Sequence, residues 1–208
     1  MIAALRLFTL SAAALVLSAC VSLLPEAEPS QLYRLEAQID PGETPAGSAS
    51  TFGLILPSTG FTRAASGDRI LTITGNEVAY IAEARWVAPA EDLVQEAVER
   101  AFDANPGPAR LVTRGELRSA ERVLRLDMRR FEVVYDQGQR SAPVVVVRLR
   151  ATLVSRADRT LVDEQVFEAQ IRAGDNRVSA IVSAFDAATS QVLTELVTWS
   201  NQVGAPEA

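Results

Sequence analysis

The 208-residue sequence has no histidine and no lysine, and all 20 of its basic residues are arginine. Without lysine there is no phosphate-loop lysine, no Schiff base and no Ser–Lys dyad. Without histidine there is no Ser–His–Asp triad and no histidine-based metal site. The single cysteine, Cys20, excludes a disulfide within the chain. Positive charge is in deficit, with 26 acidic residues giving a net charge of -6, so nucleic acid is not an expected partner. What remains is an ordinary globular mix, 48% hydrophobic and 22% charged, of a length that suits one domain.

The first twenty residues read MIAALRLFTLSAAALVLSAC. One positive charge, Arg6, precedes an apolar run from Leu7 to Val16, which has the length of a signal h-region and is too short to span a bilayer. The run closes on Leu17-Ser18-Ala19-Cys20, which resembles the lipobox of bacterial lipoproteins. That resemblance implies a signal peptide over residues 1–19, cleavage before Cys20, and diacylglycerol on its thiol with further acylation by chains such as palmitate. A plain signal peptide with an ordinary small-residue cleavage site is the alternative. Val21, rather than Asp, follows the cysteine, which by resemblance to the enterobacterial sorting pattern implies the outer membrane. Residues 20–30 then form the lipidated cysteine and a short tether.

From residue 31 onward the hydrophobic pattern changes period. Residues 31–36 and 52–56 read as strands, with a Pro/Gly/Ser-rich loop between them. Residues 70–74 and 77–82 form an expected hairpin, closed by Gly75-Asn76 with glycine taking the positive φ. Pro89 opens a helix whose apolar stripe is Leu93, Val94, Ala97, Val98, Ala101 and Phe102, and Asn105-Pro106-Gly107-Pro108 ends it. In the next strand Leu124, Leu126 and Met128 alternate with polar residues, and then the phase slips to Phe131, Val133 and Tyr135. Such a slip predicts a β-bulge near Arg129-Arg130. Val145 to Leu153 and then Phe167, Ala169 and Ile171 give two further strands of an antiparallel meander with one wet face. A long helix over about 176–202, capped by Asp175 or Asn176, completes the chain. The fold class expected is α+β, a mainly antiparallel sheet with two helices packed on one face, as a single domain over residues 31–203.

Several of these features fall in a recognisable order. They are the lipobox, Tyr33-Arg34-Leu35, the hairpin ending Val78-Ala79-Tyr80, and Arg85-Trp86-Val87-Ala88-Pro89 at the head of a helix. Later come Leu124-Arg125-Leu126, Phe131-Glu132-Val133 and a valine-rich strand. Together they resemble the ABC-type transport auxiliary lipoproteins, the group that includes paraquat-inducible protein C. The pattern departs at Val87, where a small residue is expected. The resemblance implies a non-enzymatic lipoprotein, without cofactor, held by lipid on the periplasmic face of the outer membrane. Its partners would be a mammalian-cell-entry-domain protein and an ABC permease and ATPase that move lipids or other hydrophobic molecules between membranes. The second reading is an outer-membrane lipoprotein that activates a cell-wall synthase, a class with similar small α+β domains. Whether the domain self-associates is open.

Three groups of residues have both a functional and a structural reading. Tyr80, Arg85 and Trp86 form the candidate partner-binding set, since Trp and Arg are favoured at interface hot spots. The structural reading makes Trp86 a core plug beneath the helix and lets Arg85 cap a local carbonyl. Arg125, Arg129, Arg148 and Arg150 would meet an acidic partner or lipid headgroups, or else are solvated and paired across strands with Asp127 and Glu132. The adjacent acids Asp163-Glu164 would serve acid–base chemistry only if a pocket gathered them.

Overall fold

A computed structural model of the chain describes residues 30–39, 51–104, 107–112, 115 and 120–205. The signal segment, Cys20 and the tether up to residue 29 lie outside the described residues, as do Asn105 and Pro106. The described elements, in order, are β1 (Gln31–Tyr33), β2 (Phe52–Ile55), β3 (Gly60–Phe61), β4 (Arg69–Thr74), β5 (Glu77–Trp86), α1 (Ala90–Ala104), β6 (Ala109–Leu111), β7 (Ala120–Val134), β8 (Val144–Ser155), β9 (Leu161–Arg172) and α2 (Val178–Val203).

Strand β7 is the spine of the sheet. Along one edge it pairs antiparallel with β8 over its whole length, and β8 pairs antiparallel with β9. Along its other edge it pairs parallel with three short strands in turn: β2 near its start, β3 at Asp127 and β4 near its end. Strand β6 extends the sheet beyond β2, while β5 and then β1 extend it beyond β4. The meander expected from the sequence is therefore β7–β8–β9. The first six strands make a parallel and mixed half that local periodicity could not reveal.

The phase slip in β7 is a bulge where the sequence places it. Register with β8 shifts between Met128 and Arg130, so Leu124, Leu126 and Met128 are buried before it and Phe131 and Val133 after it. The bulge turns both Arg129 and Arg130 toward the wet face, since side chains alternate on either side of it. The hairpin also forms as expected, with Gly75 at φ +58°. Strand β5 runs on to Trp86, four residues beyond the expected end. A second irregularity, with Glu83 at φ +56°, lies between Tyr80 and Arg85 in its register with β4.

Helix α1 buries Leu93, Val94, Ala97, Val98, Ala101 and Phe102, and helix α2 lies on β8 and β9 and meets α1. Both contribute to one core cluster that runs from Leu35 to Trp199. The cap of α2 differs from expectation. Its N-cap is Arg177, with no side-chain capping bond. Asn176 is occupied elsewhere, accepting from the Tyr135 hydroxyl at 3.0 Å and donating to the Gln139 carbonyl at 2.8 Å. Asp175 accepts the Asn176 amide.

Candidate functional site

The end of β5 and the head of α1 form one unit. The turn before β4 supplies carbonyls of Ser66 and Gly67 to the amides of Glu91 and Ala90, at 3.3 and 3.0 Å. These are the amides that a helix N-terminus leaves without intrahelical partners. The Asp68 carbonyl accepts the Trp86 amide at 2.7 Å, and the Tyr33 carbonyl accepts that of Val87 at 2.8 Å.

This unit separates Tyr80, Arg85 and Trp86. Successive residues of a strand point to opposite faces. Trp86 is 2% exposed and packs edge to face on Phe185 at 5.2 Å, with Phe131 at 6.0 Å. Arg85 points to solvent and pairs with Asp68 at 3.0 Å, a side chain rather than the carbonyl expected. An exposed pair of this kind contributes about 0–1 kcal/mol. Tyr80 is half-buried. Its hydroxyl donates to the Ala64 carbonyl at 3.1 Å, and the Arg69 guanidinium lies 3.8 Å over its ring. Tyr80 and Arg85 can therefore meet a partner, whereas the Trp86 ring is held in the core.

Two aliphatic residues that sequence reasoning missed lie beside Arg85. Leu32 of β1 is its register partner and is 64% exposed. Val87, the departure from the family pattern, is 50% exposed. Val87 also borders a groove of about 480 Å³ between segment 34–38 and α1, which Arg34, Glu96 and Arg100 line with Leu93. An aliphatic residue in a short strand reads as core, so Leu32 carried no signal. Val87 carried one, because it interrupts the expected pattern.

On the wet face of the meander Arg129, Arg130, Arg148 and Arg150 each have an acid. The bulge gives Arg129 and Arg130 partners along their own strand, Asp127 at 2.8 Å and Glu132 at 2.7 Å. Arg148 pairs with Glu168 of β9 at 3.3 Å, and Arg150 with Glu164. The cross-strand partners are thus Glu164 and Glu168, not Asp127 and Glu132. The bond from Arg150 holds the Glu164 carboxyl below its ordinary range and raises the guanidinium of Arg150. Arg125, nearer the start of β7, has no ion pair among the described residues.

Asp163 and Glu164 do not share a site. Glu164 faces the wet side, while Asp163 accepts the indole N–H of Trp199 at 2.8 Å beneath α2. Among the described residues no group of three or more Asp, Glu, Cys or His is placed to hold a metal ion. No described helix is long and apolar enough to cross a membrane.

Comparison with known proteins agrees with this architecture. The family described as ABC-type transport auxiliary lipoprotein component matches residues 33–197. The crystal structure of protein XCC0632 from Xanthomonas campestris superposes with a TM-score of 0.71 at 27% identity, covering 84% of this chain and 96% of that one. Protein CT253 from Chlamydia trachomatis, at 10% identity, shares the fold with a TM-score of 0.53, covering 74% of this chain and 98% of its own. No curated protein matches the sequence.

Proposed function

The chain belongs to the family of ABC-type transport auxiliary lipoprotein components, and from that premise we propose that it is the non-enzymatic outer-membrane member of a system moving lipids or other hydrophobic molecules between membranes. Acylation of Cys20 holds the domain on the periplasmic face. The domain binds the periplasm-spanning mammalian-cell-entry-type protein, which an inner-membrane permease and ATPase serve. The energy comes from that ATPase, because a chain without lysine has no lysine-bearing phosphate loop of its own.

The observation that carries the docking surface is the exposure of Leu32, the register partner of Arg85, and of Val87, two residues beyond Arg85. Exposed aliphatic side chains beside a surface arginine form an apolar patch of the kind that marks interaction sites, and arginine is favoured at interface hot spots. The family membership supports the kind of partner.

The test is recovery of partners from membranes on the tagged full chain, with identification by mass spectrometry. Permease, ATPase and mammalian-cell-entry-type protein are expected together. Leu32→Glu with Val87→Glu should lower their recovery at least about tenfold, while Val166→Glu, an exposed aliphatic on β9, should not. Absence of these partners, or equal recovery on the double variant, would overturn the reading.

A further inference from the structure

Positive charge is treated differently on the face of the sheet and at its end. On the face, Arg129, Arg130, Arg148 and Arg150 each hold a carboxylate. At the end where β7 begins and β8 turns into β9, four arginines gather around the strand termini: Arg122, Arg125, Arg156 and Arg159. Arg122, Arg125 and Arg159 have no ion pair among the described residues, and the Nε of Arg122 is buried without a hydrogen-bond partner. Arg156 donates to the Ala120 carbonyl at 3.3 Å.

Two acids described at this end, Glu121 and Asp158, are both engaged. Glu121 accepts the Gly53 amide at 2.6 Å. Asp158 accepts the Thr160 amide and hydroxyl at 3.2 and 2.9 Å, and hydrogen bonding from Ser155 first, then from Thr160, holds its carboxyl below the ordinary range. Among the described residues Arg122, Arg125 and Arg159 thus stand without an ion pair in a chain whose net charge is -6.

The apolar side chains at this end matter equally. Pairing sets Val123 against Val154, and Val154 against Leu161. These three line an open groove of about 420 Å³ together with Arg125, Arg156 and Arg159. Leu161 is 61% exposed and projects from the end of the sheet beside Val162, itself 36% exposed. Arg159 stands at φ +62°, a left-handed conformation that suits glycine and strains a residue bearing a Cβ.

A guanidinium fork matches two phosphate oxygens, and projecting aliphatic side chains enter the boundary between headgroups and acyl chains. We propose that this end of the sheet docks on a membrane surface carrying anionic phospholipid headgroups. The arginines bind the phosphates, and Leu161 enters the layer beneath them. The surface belongs to the folded domain and acts whether or not Cys20 is acylated, so its test is independent of the function proposed above.

One core cluster joins the described residues from Leu35 to Trp199, so the chain from residue 21 onward can be tested without lipid by sedimentation with vesicles. It should partition onto phosphatidylcholine vesicles containing about 30% phosphatidylglycerol at least about tenfold more than onto phosphatidylcholine alone, and release as salt rises. Arg125→Gln with Arg159→Gln should lower partitioning by about 30-fold, about fivefold for each arginine. Arg148→Gln removes the same charge from the paired face and should leave binding within about twofold. Arg159→Gly should keep or raise the melting temperature while lowering partitioning about fivefold, which separates the role in binding from any role in folding. Millimolar inorganic phosphate, against chloride of equal ionic strength, should not displace the domain. Failure of the unaltered domain to prefer anionic vesicles would overturn the proposal. So would an equal loss from Arg148→Gln, or full displacement by phosphate, which would mark a site for a free anion.

Discussion

Trp86 and Phe185 meet edge to face with ring centroids 5.2 Å apart, and the contact ties the end of β5 to the first third of α2 across the core. Phe131 lies 4.6 Å from Phe185 and completes the cluster from the far side of the bulge in β7. Three parts of the chain remote in sequence thus depend on one aromatic group. Trp86→Ala should destabilise the domain by about 3–5 kcal/mol, the range for an aromatic residue lost from a packed core, as read from urea unfolding. In a Trp199→Phe background the fluorescence of Trp86 should resist quenching by iodide. A large quenchable fraction would show that the ring reaches solvent.

Helix α2 begins without a side-chain cap. Arg177 occupies the N-cap at φ −112° and ψ 147° and makes no capping bond, and its positive charge stands at the positive end of the helix dipole. Arg177→Asp should place an acceptor over the first amides and reverse that charge. A gain of about 0.5–2 kcal/mol is expected, measured as a higher melting temperature. A loss would mean that the pair of Arg177 with Asp175, at 3.2 Å, matters more than the missing cap.

Asp186 gives a prediction with a definite sign. It lies on α2 and accepts the Glu36 amide at 2.7 Å. Burial raises its carboxyl above the ordinary range, the hydrogen bond partly offsets this, and the charge of Glu36 adds to it. A carboxyl raised on folding favours the native state below its unfolded value, and that contribution is lost as pH rises through its folded value. At neutral pH the ionised Asp186 is therefore a burden on the fold. Asp186→Asn keeps an acceptor for Glu36 and removes the charge. The variant should be the more stable protein at pH 7, and its advantage should shrink on acidification as the native carboxyl takes up its proton.

The parts of this fold that local chemistry determines were legible in the sequence. The slip from Met128 to Phe131 gave the bulge, Gly75 gave the turn, and the stripe from Leu93 to Phe102 gave the buried side of α1. Parallel pairing of β2, β3 and β4 along β7 was not legible. Those strands are short, and a strand of two residues such as β3 has no period to read. The candidate site was half legible for a related reason. Sequence named Tyr80, Arg85 and Trp86 together, but alternation along β5 sends Arg85 and Trp86 to opposite sides. Leu32 joins Arg85 only through the pairing of β1 with β5. The choice of ion pairs on the wet face likewise depends on register, which sets Glu164 and Glu168 beside Arg150 and Arg148.

The proposed anchor at Cys20 makes the last prediction, and it concerns distance rather than chemistry. Cys20→Ala should abolish incorporation of labelled palmitate and leave the precursor uncut or wrongly cut. Equal incorporation by the variant would exclude this cysteine as the acylated residue. The consequence for function follows from effective concentration. A lipid on Cys20 confines the domain to a thin layer at the membrane, so a partner arriving there meets it at far higher local concentration than it would a freely diffusing copy. Two or more acyl chains are needed for such confinement, at about 0.8 kcal/mol per buried methylene. A secreted form without the cysteine should fold normally, because the core cluster from Leu35 to Trp199 lies beyond that cysteine, yet it should restore membrane-stress resistance only in part when made at the level of the tethered protein. Overexpression should recover more of the function, since mass action substitutes for tethering. Full rescue by the untethered form at equal levels would show that binding alone suffices and that the lipid does no more than deliver the protein to its compartment.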